Sequence, residues 1–160
     1  MYIDKKYDKY VVLTATKVNY DCENIYKDFI PEIRYTLYSN GELFIEVIHY
    51  INSNETIQTK VHDEDIKSLN KLLAAFDGKT YIQISKRSLA WEFELYHKLY
   101  NEYIGKEVIE KTKFNLGCID NIDTLENLAS ILENTYNSCN ITIDKKQKGF
   151  ILKIKTLFKR

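Results

Sequence analysis

The stretch Glu32 to Val61, EIRYTLYSNGELFIEVIHYINSNETIQTKV, reads as three strands joined by two turns. Ile33, Tyr35 and Leu37 alternate with Glu32, Arg34, Thr36 and Tyr38. Asn40-Gly41 follows, a pair suited to a two-residue type I′ turn because both central positions take positive φ. Leu43, Ile45, Val47, His49 and Ile51 then recur at every second position. Asn52-Ser53-Asn54 interrupts the pattern, and Ile57, Thr59 and Val61 resume it. Alternation of this kind buries one face of a sheet, so it predicts an antiparallel meander with strands at 32–39, 42–51 and 55–61.

Downstream the period changes. Ile66, Leu69, Leu72, Leu73 and Phe76 share one helical face, which predicts a helix over 63–76. Asp63, Glu64 and Asp65 stand at its start, where the helix dipole favours negative charge. Leu125, Leu128, Ile131 and Leu132 predict a second helix over 123–137, and Asp123 with Glu126 resembles a capping box. Further strands are expected at 10–18, 81–85 and 107–114, and a short helix at 21–30 ahead of Pro31. A C-terminal hairpin is expected over 140–158, turning at Lys145–Gly149. The segment 89–104 fits two periods. Leu89, Trp91, Phe93 and Leu95 alternate as in a strand, whereas Leu89, Phe93, Tyr96, Tyr100 and Tyr103 form a helical stripe. Sixteen residues without an evident turn signal tip the reading to a helix. The expected fold is therefore α+β. One proline and five glycines leave no flexible linker, so residues 1–160 read as a single domain.

Composition excludes more than it identifies. Lys and Arg together number 23 and so do Asp and Glu, which rules out a globally basic nucleic-acid binder. The balance is a local cancellation. Residues 144–160 carry seven basic side chains and one acid, while 118–143 carry four acids and no base. Ile, Lys, Asn and Tyr make up 66 of 160 residues, the imprint of AT-rich codons, so tyrosine or lysine number alone argues little. No apolar N-terminal run suggests a signal peptide and no long apolar run suggests a membrane span. Three cysteines, Cys22, Cys118 and Cys139, are an odd number without close spacing, which fits a reducing, cytoplasmic setting.

Motifs with a mechanism are scarce. The sequence has no glycine-rich phosphate loop, no H-E-x-x-H, no C-x-x-C and no G-x-S-x-G. No metal and no cofactor are expected. Ser68-Leu69-Asn70-Lys71 fits S-x-x-K, but its companion motifs are absent. His49 continues the apolar face of a strand, and His62 precedes three acids that the helix dipole explains. On a helix His97 would share a face with Glu94 and Asn101, an arrangement able to orient an imidazole. The cysteines read more simply as small buried hydrophobes than as nucleophiles.

Two surfaces stand out as candidates. Phe44, Ile48 and Tyr50 lie opposite the core face of the 42–51 strand, with Tyr38 across the hairpin. Apolar residues there call for a second covering layer, such as the later helices, or for a partner; coverage is the favoured expectation, because the chain is long enough to wrap a central sheet. In the C-terminal hairpin Lys153 and Lys155 point outward, as edge-strand lysines that deter aggregation or as an anion-binding surface. The favoured expectation is a non-catalytic protein-binding module, with an immunity-type toxin-neutralising protein or a phage counter-defence inhibitor as examples. The absence of strong negative charge counts against those examples. The alternatives are a small enzyme with a dispersed His/Glu/Cys site and a nucleic-acid or anion binder using 145–160. Scarce arginine, three residues in all, weighs against base readout.

Overall fold

A computed structural model describes residues 3, 9–19, 30–76, 91–115 and 123–139. Its strands are β1 (Val11–Val18), β2 (Glu32–Tyr38), β3 (Glu42–Ile48), β4 (Glu55–Lys60), β5 (Trp91–Asn101) and β6 (Lys106–Asn115). Helix α1 spans Asp63–Ala74 and α2 spans 123–139. The strands form one antiparallel sheet in the order β4-β3-β2-β1-β5-β6. The fold is α+β, as the alternation of 32–61 predicts.

One row of facing residues shows why. Ile57, Ile45, Tyr35, Ala15, Phe93 and Phe114 stand opposite one another in turn across all six strands. On this face Leu13, Ala15, Tyr35, Leu37, Leu43, Ile45, Val47, Trp91, Phe93 and Leu95 are buried. Leu69, Leu73 and Phe76 from the α1 segment join the same core, as do Leu125, Leu128 and Leu132 from α2. Each fully buried leucine contributes roughly 1.5–3 kcal/mol. Both helices thus cover one face of the sheet. This corrects the expectation that the later helices wrap the other face: the 3.6-residue stripe of α2 is satisfied by the core that α1 already shares.

Three further differences from the sequence reading have physical causes. The segment 89–104 is not a helix, because β5 occupies Trp91–Asn101. Trp91, Phe93, Leu95 and His97 are buried and alternate with more exposed residues, so period two prevails. Bulky aromatic side chains pack well on a pleated surface. The overlooked turn signal is Asn101 to Gly105. Asn101 Oδ1 accepts the backbone N–H groups of Tyr103 (3.0 Å) and Ile104 (3.4 Å), and Gly105 takes φ +62°. The β2–β3 connection is also not a two-residue turn with both residues at positive φ. Gly41 N–H bonds Tyr38 O at 2.9 Å, and Gly41 alone takes positive φ, +79°. Ser39 is drawn out of the strand end by Tyr10, whose carbonyl accepts the Ser39 N–H (2.9 Å) and whose N–H bonds Ser39 Oγ (3.1 Å). The loop therefore has three residues ending in a left-handed glycine. Finally, β3 stops at Ile48, and His49 to Ile51 leave the strand.

The 10–18 and 107–114 strands appear as β1 and β6. The expected helix at 21–30, the strand at 81–85 and the hairpin at 140–158 lie outside the described residues. Among the described residues no helix is long and apolar enough to cross a membrane.

Candidate functional site

Tyr38, Phe44 and Ile48 are half-buried on the sheet face opposite the two described helices. The pairing places Phe44 opposite Thr36, and Ile48 opposite Glu32. Charges interrupt any apolar continuity. Glu46 separates Phe44 from Ile48, and Glu32 pairs with Arg34. Lys9 pairs with Glu42 and holds its ammonium 4.2 Å from the centre of the Tyr38 ring. The hydrogen bond between Lys9 and Glu42 raises the lysine pKa and lowers that of the carboxyl. Tyr50 falls past the end of β3, exposed in the β3–β4 connection beside Ile51. Tyr50 thus stands off the strand that carries Phe44 and Ile48. Lys153 and Lys155 lie outside the described residues.

The candidate acid–base group comes apart in the structure. In β5, Glu94 and His97 are three residues apart and project to opposite sheet faces. His97 is buried on the core side, whereas Glu94 accepts hydrogen bonds from Tyr96 (3.0 Å) and pairs with Lys111 (2.7 Å) on the other side. His62 is the N-cap residue of α1 and makes no side-chain cap. His49 Nε2 approaches Glu55 Oε1 at 3.3 Å without hydrogen-bond alignment, and its backbone N–H bonds Asn54 Oδ1. Cys139 is free and half-buried; Cys22 and Cys118 lie outside the described residues. Among the described residues no three His, Cys, Asp or Glu side chains gather as metal ligands.

An open groove of about 490 Å³ runs between α1 and α2, lined by Asp65, Ser68, Lys71, Thr124, Asn127 and Ser130 among others. It contains both ends of the S-x-x-K pattern. Ser68 and Lys71 are both exposed there.

The most unusual surface is one the sequence reading missed. β1 pairs with β5 only over Trp91–Leu95. From Tyr96 onward, β6 is the registered partner of β5 among the described residues, where the hairpin continues as a two-stranded arm. A two-stranded ribbon is marginal in water by itself. Cross-strand contacts brace this one: Lys98 pairs with Glu107 (2.6 Å), Lys111 pairs with Glu94 (2.7 Å), and Lys98 stands 5.7 Å from the centre of the Tyr10 ring. Of the seven large hydrophobics exposed among the described residues, five are on this arm: Leu99, Tyr100, Tyr103, Ile104 and Ile109. Tyr103, at the tip, is 100% exposed. The signal in the sequence was the pair Tyr103-Ile104 inside a turn ending in Gly105, where polar residues are usual. No family model matches this chain, and no curated protein is detectably similar to it.

Proposed function

We propose that the protein is a non-catalytic protein-binding module that uses the tip of the β5–β6 arm as its contact surface. The observation that supports this reading is the group of exposed tyrosine and aliphatic side chains on one braced hairpin. Tyrosine provides large amphipathic contact area with few rotors to immobilise, which makes it a frequent anchor at interfaces. The bracing fixes the arm before contact, so little further ordering opposes binding. A neutralising role, immunity-type or counter-defence, is one form of this proposal. The odd cysteine count fits a cytoplasmic meeting with that partner.

The test compares the wild-type chain with a Tyr103→Ser/Ile104→Ser variant, using the product of the adjacent gene as first prey. Stoichiometric binding by calorimetry, weakened about a hundredfold or more in the variant, supports the proposal. Equal affinity for both proteins removes the arm from the interface. Measured turnover of a small molecule, with no protein bound, removes the whole reading.

A further inference from the structure

We infer that a second copy of this chain pairs antiparallel along the outer edge of β6, extending the sheet across a two-fold axis. β6 is an edge strand among the described residues, and its residues Lys106, Glu107, Ile109, Glu110 and Lys111 are exposed. An unpaired edge is a template for another strand, and lysines on it normally repel one. Here the lysines do not repel a copy of themselves. Lys106-Glu107-Val108-Ile109-Glu110-Lys111 reads with the same charges in both directions.

The symmetry restricts the register. Two antiparallel copies of one strand are related by an axis perpendicular to the sheet, and facing residues share a sheet face. The axis must then pass beside a residue that faces its own copy. Pivots at Glu107 or Glu110 set carboxylate against carboxylate. A pivot at Ile109 faces Glu107 with Lys111 of the second copy, yet those two already pair with Lys98 and Glu94 in their own chain. A pivot at Val108 faces Lys106 with Glu110 of the second copy, twice by symmetry. Lys106 and Glu110 form no ion pair among the described residues, so these are the charges still available. Leu99 faces Val108 across the hairpin. The Val108 pivot therefore creates one apolar row of Leu99, Val108, and the Val108 and Leu99 of the second copy. That row covers part of the apolar surface of the arm, flanked on each side by a Lys–Glu pair. The inference stands on the β6 edge and does not depend on partner binding at Tyr103 and Ile104.

Charge swapping tests it. Sedimentation of the full chain over a concentration range is measured for the wild type, Lys106→Glu, Glu110→Lys and the double swap. Both positions are exposed, and circular dichroism confirms the fold of each variant. The expected result is a wild-type dimer, a dimer dissociation constant about tenfold or more higher in each single variant, and recovery in the double swap. A wild-type chain that stays monomeric up to about 0.5 mM overturns the inference, as does a dimer that neither single reversal weakens or that the double swap fails to restore. A Tyr103→Ser/Ile104→Ser chain that still dimerises but no longer binds a protein partner separates the two proposals.

Discussion

Alanine substitutions along β5 distinguish a strand from a helix by their pattern of cost. Phe93 and Leu95 are fully buried on the core face, with Phe93 stacked 5.5 Å from Trp91, centre to centre. Truncating a buried phenylalanine costs about 3–5 kcal/mol and a buried leucine about 2–5 kcal/mol, because lost transfer energy adds to an unfilled cavity. Tyr100 and Tyr103 are largely exposed, so truncating either costs at most about 0.5–1 kcal/mol. On a helix Phe93, Tyr100 and Tyr103 would share one buried stripe, and all three would be expensive. The assay is urea unfolding followed by circular dichroism. With a slope of about 2 kcal/mol per molar urea, Phe93→Ala lowers the midpoint by about 2 M, and Tyr103→Ala moves it by about 0.5 M or less. Comparable losses at Phe93 and Tyr103 would refute the strand and, with it, the exposed arm.

Three other outcomes follow from the geometry. The Tyr35 hydroxyl is buried without a hydrogen-bond partner, so Tyr35→Phe leaves stability unchanged or raises it by about 1 kcal/mol, measured by the same unfolding assay. Burial, aided by the nearby Glu133 and Tyr136, raises the Tyr35 pKa. The unfolded chain therefore releases this proton first as pH rises above the ordinary tyrosine value of about 10, stability falls there, and Tyr35→Phe blunts that loss. Asn70 accepts the Ile3 N–H (2.8 Å) and donates to the Ile3 carbonyl (3.1 Å), so Asn70→Ala costs about 1–3 kcal/mol and speeds exchange of the Ile3 amide. Glu42 has its pKa lowered mainly by the hydrogen bond from Lys9, so its stabilisation is present above the ordinary carboxylate value and lost as pH falls through the lowered one. Glu42→Gln flattens that part of an acid melting series.

The legible parts of the fold are those where a single period fits. The 32–61 alternation and the stripes of α1 and α2 each admit one reading, and burial at Leu43, Ile45, Val47, Leu69, Leu73, Leu125 and Leu128 follows it. The 89–104 segment admits two, because Phe93 satisfies both stripes. Only the pairing partners decide it: β1 lies far upstream, and β6 follows across the overlooked Asn101–Gly105 turn. A helical reading hides the candidate surface, since it puts Tyr100 and Tyr103 on one apolar stripe. Alternation alone puts Tyr38, Phe44 and Ile48 on the face opposite the core. Their interruption by Glu46 is legible in the same alternation, whereas the Lys9–Glu42 pair brings in a residue outside the meander, which periodicity does not contain. The same limit applies to His97 and Glu94, which a helix joins and a strand separates.

Photo-crosslinking from position 103 shows whether Tyr103 touches another protein. A benzophenone side chain replaces Tyr103 in the chain expressed in its native cells, with the same group at Thr36 on the sheet face as control. The expected result is a discrete adduct from position 103, absent from position 36, whose peptides come from a different protein. Irradiation that yields no adduct at 103, or the same adducts at both positions, would contradict it.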